Sequence, residues 1–517
     1  MPGLLVEGIE GATAIRSRPA DALNVAEVAR AIMARHPQRA AFILSADGTE
    51  RIVTFGEVGA LTDRFAGGLA ALNLRRGARV LLLAPPNPEI YALALAVLRT
   101  GHVLVTIDGR GDVSRIRLAL RQAAADVVVG VPRAMRWWPF VSALRRARRF
   151  TVGRPVFGTR ALDELLERVA RPQTLDVVDP DSPAVIAFSS GNTGLPKLIV
   201  RTHAVLSAQH RALLAAFPLP DTDVNLPGFP LAVLHNLCRG TTTVIPAVDL
   251  RSMPAADVTT VVHTIRDQGV TSISAAPAFI RRVAAHARSS DKPLRGVRRI
   301  VIGGGPVSRR LAADVLAAFP NADARAVYGA TEAEPIATAS LREIVDAADL
   351  GAEGYLGGWP VGDIEVRIAG GGDRGELLVR GRHVVQSQND GRWHHTGDIC
   401  RMDQRGRLWL LGRIGTDIRR DGRTLNPFVI EAPMTCLPGV AAAALVAHRD
   451  APRGELIIEV EADADSRSVM ASVRQSLPVI GFGDIPARQI DRIPMDARHE
   501  SKVDRAALIR RLEEAGR

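Results

Sequence analysis

Ala184-Val185-Ile186-Ala187-Phe188-Ser189-Ser190-Gly191-Asn192-Thr193-Gly194-Leu195-Pro196-Lys197 decides how the chain is read. The apolar run 184–188 predicts a buried strand. It then breaks into hydroxyls, two glycines and a lysine. Gly191 and Gly194 let the backbone turn tightly and approach a ligand closely. Ser189, Ser190, Asn192 and Thr193 supply donors, and successive N–H groups in such a loop form an anion nest. Lys197 adds a point charge. Together they suit a polyphosphate. Lys197 is followed by Leu198, not Ser or Thr, so the Walker pattern is excluded. The plain alternative is a surface turn after a strand.

Upstream, strand and helix patterns alternate. Helical spacing runs from Asn24 to Arg35, and Ala40–Leu44 reads as a strand. Thr54-Phe55-Gly56-Glu57 has the Thr-x-x-Glu form of a capping box and opens a helix through Leu72. Val80–Leu83, Val103–Ile107 and Asp126–Val129 read as buried strands, with helices at 90–99 and 116–124 between them. This alternation predicts an α/β domain with a largely parallel sheet.

At 517 residues the chain exceeds one compact core, so two or three domains are expected. Hydrophobic content of 47% and charged content of 23% describe a soluble globular protein. Cys238, Cys400 and Cys436 form no CxxC, which argues against a metal site or disulfide framework and for a reducing compartment. Glu7 and Glu10 break any signal-peptide pattern, no run spans a bilayer, and a cytoplasmic location is expected. The net charge of +11 raises the question of nucleic acid. Aromatic content of 4% and the lack of a stacking motif argue against it.

Residues 133–150 stand out: Arg133, Arg136, Arg145, Arg146, Arg148 and Arg149 share the segment with Trp137, Trp138 and Phe140. The preferred reading is a solvated face with its aromatics tucked into the core. The alternative is a basic amphipathic helix that lies on an anionic membrane or meets an acidic partner.

The loop at 188–197 resembles the phosphate-binding loop of the adenylate-forming superfamily, which includes acyl-CoA synthetases, luciferases and peptide-synthetase adenylation domains. Further motifs follow in that family's order: Gly303-Gly304-Gly305-Pro306, Tyr328-Gly329-Ala330-Thr331-Glu332, Gly375–Gly381, Trp393-His394-His395-Thr396-Gly397-Asp398 and Arg407–Arg413. The resemblance runs from about residue 24 to the end. It implies a large N-terminal adenylate-forming domain of stacked mixed sheets and helices, residues 1–414, and a small mobile α+β lid, residues 415–517. It implies ATP and Mg2+ as cofactors, with no nucleic-acid partner.

The same resemblance implies residue roles. Tyr328 would stack on adenine, with Gly304 and Gly329 close to the nucleotide. Thr331 would meet the α-phosphate and Glu332 would hold Mg2+. Asp398 would accept the ribose hydroxyls, helped by Arg413, and Lys502 would stabilise charge during adenylation. His235, Asn236, Gly303 and Ala333 would border the acyl pocket. The hinge falls two residues past Arg413, on Gly415, where the family has Asp or Lys.

The terminal motif Pro494–Lys502 departs from the family's usual PRxxSGK. Its Arg498-His499-x-x-Lys502 form resembles OleC-type β-lactone synthetases, as do Tyr328–Pro335, Val103–Asp108 and Val244–Pro246. The implied substrate is a small carboxylic acid, a β-hydroxy acid closed to a lactone. The alternative is a ligase to CoA or a carrier protein.

Overall fold

A computed structural model describes residues 24–46, 49–107, 113–167, 178–190, 196–218, 220, 222–248, 258–347, 354–385, 393–420, 422–496 and 500–515. Among them, seven strands form one sheet, in the order Arg160–Ala161, Arg148–Thr151, Val127–Gly130, Arg79–Leu83, Val103–Thr106, Pro183–Ser190, Pro196–Thr202. All neighbours are parallel except the last pair. The three central strands, Val127–Gly130, Arg79–Leu83 and Val103–Thr106, carry apolar residues on both faces. Val80, Leu82, Val127 and Val129 join one core with the helices Val25–Arg35, Phe55–Ala71 and Pro88–Arg99. Leu81, Val103, Val105 and Val128 join another with the helix Val113–Ala123. That double burial is why these strands read as continuous apolar runs rather than alternating ones.

The expected capping box is present. Thr54 Oγ1 accepts from Glu57 N–H and the Glu57 carboxylate accepts from Thr54 N–H, fixing the start of a 17-residue helix.

Among the described residues a thirteen-stranded sheet forms a second layer. Its middle is parallel, through Asp323–Ala330, Arg299–Ile302, Ser272–Ala275, Val224–Pro227, Thr242–Ile245 and Ala40–Ala46. Antiparallel strands extend both ends, including Ala333–Ser340, Arg374–Arg380, His394–Met402 and Leu408–Arg413. The stacked mixed sheets expected of the N-terminal domain are thus the observed architecture.

From Ile418 on, the chain builds its own cores. Strands Val440–His448, Ala451–Val460 and Ala487–Ile490 form a separate sheet, flanked by the helices Pro427–Met434, Ser466–Val479 and Arg505–Ala515. A buried ion pair, Arg505 Nη2 to Glu431 Oε1 at 2.7 Å, ties two of those helices together.

One expectation is corrected. Residues 133–150 form no amphipathic helix and do not bury all their aromatics. A single turn, Pro132–Met135, is followed by two 3₁₀ turns and the strand Arg148–Thr151. Pro139 removes an N–H donor and restricts Trp138 before it, which stops helix propagation. Trp137 and Phe140 are exposed.

Candidate active site

In open α/β sheets ligands gather outside the carboxyl ends of the parallel strands. Here those ends open onto a cleft of about 1560 Å3, bordered by Phe188, Gly304, Gly305, Tyr328, Gly329, Asp398, Arg413 and Lys502. The volume exceeds that of an ordinary ligand pocket, leaving room for a nucleotide and an acyl group together.

Three side chains from three strands meet on one wall. Tyr328 Oη donates to Asp398 Oδ2 at 2.8 Å, and Arg413 Nε lies 2.9 Å from Asp398 Oδ1. Asp398 and Arg413 stand opposite each other on paired strands. Tyr328 is partly buried and packs against the core formed by Ala333, Ile336 and Leu377. Burial, reinforced by the Asp398 charge, holds its phenol well above the usual tyrosine range. The ring therefore stays a neutral donor, and its orientation is fixed. Each Asp398 oxygen keeps spare lone-pair capacity for a sugar hydroxyl.

Outside the lining of that cleft, Lys197 Nζ lies 3.3 Å from Glu332 Oε1. Lys197 pairs in register with Ser189. Glu332 sits in the tight turn that closes Ala330 onto Ala333. That turn is clamped by Arg201, whose Nε and Nη2 donate to the Thr331 carbonyl at 3.0 and 2.7 Å. Sequence reading missed Arg201. Its signal was a lone arginine in an otherwise apolar strand pattern, Leu198-Ile199-Val200-Arg201. Glu376 was missed as well. It accepts from Gly397 N–H at 3.1 Å and lies 2.8 Å from His395 Nδ1, setting the backbone ahead of Asp398. Burial lowers the pKa of His394, which feels the charges of both Glu332 and Lys197, so it adds no charge at neutral pH.

Lys502 reaches the cleft from the C-terminal domain. Asp496 organises its loop, accepting from Ser501 N–H at 2.9 Å and Lys502 N–H at 2.8 Å through Oδ1. The loop packs directly on the glycine turn of the large domain. A Cβ at Gly305 would lie 2.7 Å from Ser501 Cβ and 2.8 Å from its carbonyl oxygen, so only glycine fits beneath it. Glu500 Oε2 lies 2.7 Å from Arg282 Nη2, Ala278 N–H donates to Ser501 Oγ at 3.3 Å, and Arg310 bridges to Glu461 at 2.8 Å.

The residues expected at the acyl pocket are placed unequally. His235 Nδ1 lies 2.7 Å from His210 Nδ1. Burial depresses both rings: His210 to about 4, with Arg239 and Arg211 adding to it, and His235 well below its usual value, with His210 and Arg239 adding to it. Asn236 is spent inside the sheet, where its Nδ2 donates to Asn225 Oδ1 and Thr243 Oγ1. Ala333 is fully buried in the core behind Tyr328. Gly303 ends its strand with its N–H on the Ala275 carbonyl. Glu334, unforeseen in the sequence, stands against Gly329, where an added Cβ would lie 3.5 Å from its own. Desolvation raises its carboxyl pKa against the pull of Arg201. The Glu334 side chain is nonetheless exposed to water.

Gly191, Asn192, Thr193 and Gly194, like Asp108, Arg498 and His499, lie outside the described residues, as do the side chains of Ser189 and Ser190. Gly415 occupies a turn at φ +80°, and its N–H donates to Asp417 Oδ1 at 3.2 Å.

Comparison with known proteins agrees with this geometry. Residues 29–387 match the family model described as AMP-binding enzyme. The chain is 29% identical over 508 residues to olefin beta-lactone synthetase of Stenotrophomonas maltophilia, covering 88% of this chain and 90% of the relative. It is 28% identical over 441 residues to feruloyl-CoA synthase of Amycolatopsis, covering 81% and 85%. Its fold superposes on the crystal structure of an anthranilate CoA ligase in complex with anthranoyl-AMP. The TM-score is 0.82 at 18% identity, over 96% of this chain and 98% of that one.

Proposed function

The chain belongs to the AMP-binding enzyme family and is an adenylate-forming ligase, and from that premise we propose that it activates a β-hydroxy acid and closes it to a β-lactone. The observation that carries the adenylation chemistry is the seat of the Lys502 loop on Gly305, which brings a C-terminal cation to the nucleotide cleft.

Tyr328 would stack its ring on adenine, held by its bond to Asp398. Asp398 would accept the ribose hydroxyls with its remaining lone pairs, and Arg413, 2.9 Å away, would orient it. Lys197 and Glu332 form a neutral pair. A polyphosphate would take Lys197, and Mg2+ would take Glu332, filling its shell with phosphate oxygens and water. This exchange leaves neither charge stranded, so the residues fit the group. When bound, Mg2+ would neutralise charge on the phosphates. As the substrate carboxylate attacks the α-phosphorus, Lys502 and Thr331 would face the negative charge that develops there. Gly415 would serve as the pivot between residues 1–414 and a lid of 415–517, because glycine accepts large φ/ψ changes.

The lactone reading is supported by the similarity to olefin beta-lactone synthetase over most of both chains and by the Arg498-His499-x-x-Lys502 sequence. The exposed carboxyl of Glu334, packed against Gly329 of the cleft, would offer a hydroxyl acceptor. The acid's own hydroxyl would attack the acyl-adenylate, gaining the effective concentration of an intramolecular reaction. Similarity to feruloyl-CoA synthase supports a second reading, transfer to CoA or a carrier protein. Mass spectrometry of products from a panel of acids, with and without CoA, separates them. AMP, pyrophosphate and a β-lactone formed without thiol supports the first. Strict CoA dependence with acids lacking a hydroxyl would leave only the second.

A further inference from the structure

Between Asp126 and Asp163 the sequence holds eight arginines and no acidic residue. The structure gathers this segment into two loops, 131–147 and 152–159, at the carboxyl ends of adjacent parallel strands. This is the sheet edge from which Pro183–Ser190 feeds the phosphate loop. Trp137 is 65% exposed, Phe140 74% and Phe157 88%. Trp137 and Phe140 meet edge to face at 6.2 Å, so they project as a pair.

The platform beneath them is built. Trp138 Nε1 donates to the Phe157 carbonyl at 2.8 Å, joining the two loops. Arg149 covers the Trp138 ring at 4.0 Å. A Cβ at Gly158 would come within 2.4 Å of that ring, so the residue there is sterically required to be glycine. Around the aromatics, Arg133, Arg136, Arg146 and Arg154 are exposed and make no hydrogen bond or ion pair among the described residues.

We propose that this edge docks on an anionic phospholipid bilayer, with Trp137, Phe140 and Phe157 entering the interface and the four arginines meeting lipid phosphates. Aromatic rings with arginines alongside suit the interfacial zone, where an apolar body sits in acyl chains and cations face headgroups. Counter-charge is missing from the patch itself, so an anionic surface supplies it. A second copy of the chain fits poorly, because a two-fold contact would set the same arginines against each other. Among the described residues no helix is long and apolar enough to cross a membrane, so the attachment is peripheral. The helix Val113–Ala123 joins this edge to the cleft: Ala119 and Leu120 share a core with Leu144, and Ile116 and Ala119 border the cleft. A lipid-soluble acid dissolved in the bilayer would lie close to the site that activates it.

The test is co-sedimentation with vesicles of phosphatidylcholine alone or mixed with phosphatidylglycerol. Two variants accompany the wild type: Trp137→Ser/Phe140→Ser/Phe157→Ser, and Arg133→Gln/Arg136→Gln/Arg146→Gln/Arg154→Gln. The wild type is expected to pellet with the mixed vesicles, less so at high salt. Each variant should bind at least about tenfold more weakly while pyrophosphate exchange with a short soluble acid is unchanged. Quenching of wild-type tryptophan fluorescence by brominated lipid, lost in Trp137→Phe, gives a readout that needs no heavily substituted chain. Equal binding to neutral vesicles, or no change in either variant, would overturn the proposal. So would a wild-type dimer that the aromatic variant converts to monomer, or binding to an acidic polypeptide in place of vesicles.

Discussion

Asp398 carries more contacts than its sequence motif discloses. Tyr328 and Arg413 both converge on it, so replacing it would remove the proposed ribose acceptor and take a partner from both side chains. Asp398→Ala should weaken ATP binding by about 1–3 kcal/mol, roughly five- to 150-fold in Kd, and isothermal titration would show it. Unchanged affinity would remove Asp398 from the site. Gly305 gives a steric prediction. Gly305→Ala forces a methyl group to within 2.7 Å of Ser501, so it should unseat the Lys502 loop. Acid-dependent pyrophosphate exchange should fall at least about tenfold with ATP affinity little changed. These residues were legible as types in a fixed order: Tyr328, Glu332, Asp398 and Lys502 were all named from sequence. Arg201, Asp496 and Glu376 were not, because they act by hydrogen-bonding backbone brought near by the fold. For Asn236, placed at the acyl pocket by the resemblance, the fold adds what sequence does not show: the strand partners Asn225 and Thr243 claim its amide.

Among the elements, the long parallel strands and the capped helix at Phe55–Ala71 could be read locally, because periodicity and caps are local signals. The segment 133–150 could not. Its arginines and aromatics carry helical spacing, but Pro139 and the pull of a sheet edge leave it as turns. The turn at Gly415 is another element whose behaviour depends on backbone. At φ +80° a Cβ costs about 1–2 kcal/mol. Gly415→Ala should lower thermal stability by that order while leaving the first half-reaction intact. Any step that needs the lid to rotate should slow more than adenylation does, as single-turnover kinetics would report. Equal slowing of both steps would deny Gly415 a pivot role.

The whole molecule should respond to acid through buried histidines. His203 is 3% exposed, and among the described residues neither ring nitrogen has a hydrogen-bond partner. Burial depresses its pKa from 6.5 to about 4. The unfolded chain therefore binds this proton first as pH falls. His203 contributes stability above about pH 6.5 that declines through the window down to about 4, of order 3 kcal/mol in all. Denaturation midpoints measured between pH 7 and 4 should drop, and His203→Gln should flatten the decline. A slope identical in the variant would assign the acid sensitivity elsewhere.

At that same scale the C-terminal domain sits on Gly305, Arg282 and Arg310 with Lys502 at the cleft, and the proposed adenylation role of Lys502 rests on that seat. The most direct measurement is acid-dependent exchange of labelled pyrophosphate into ATP by the wild type and by Lys502→Ala. With the right acid the wild type should exchange briskly. The variant should lose at least about a thousandfold while still binding ATP with near-normal affinity. Exchange by Lys502→Ala at the wild-type rate would contradict the account.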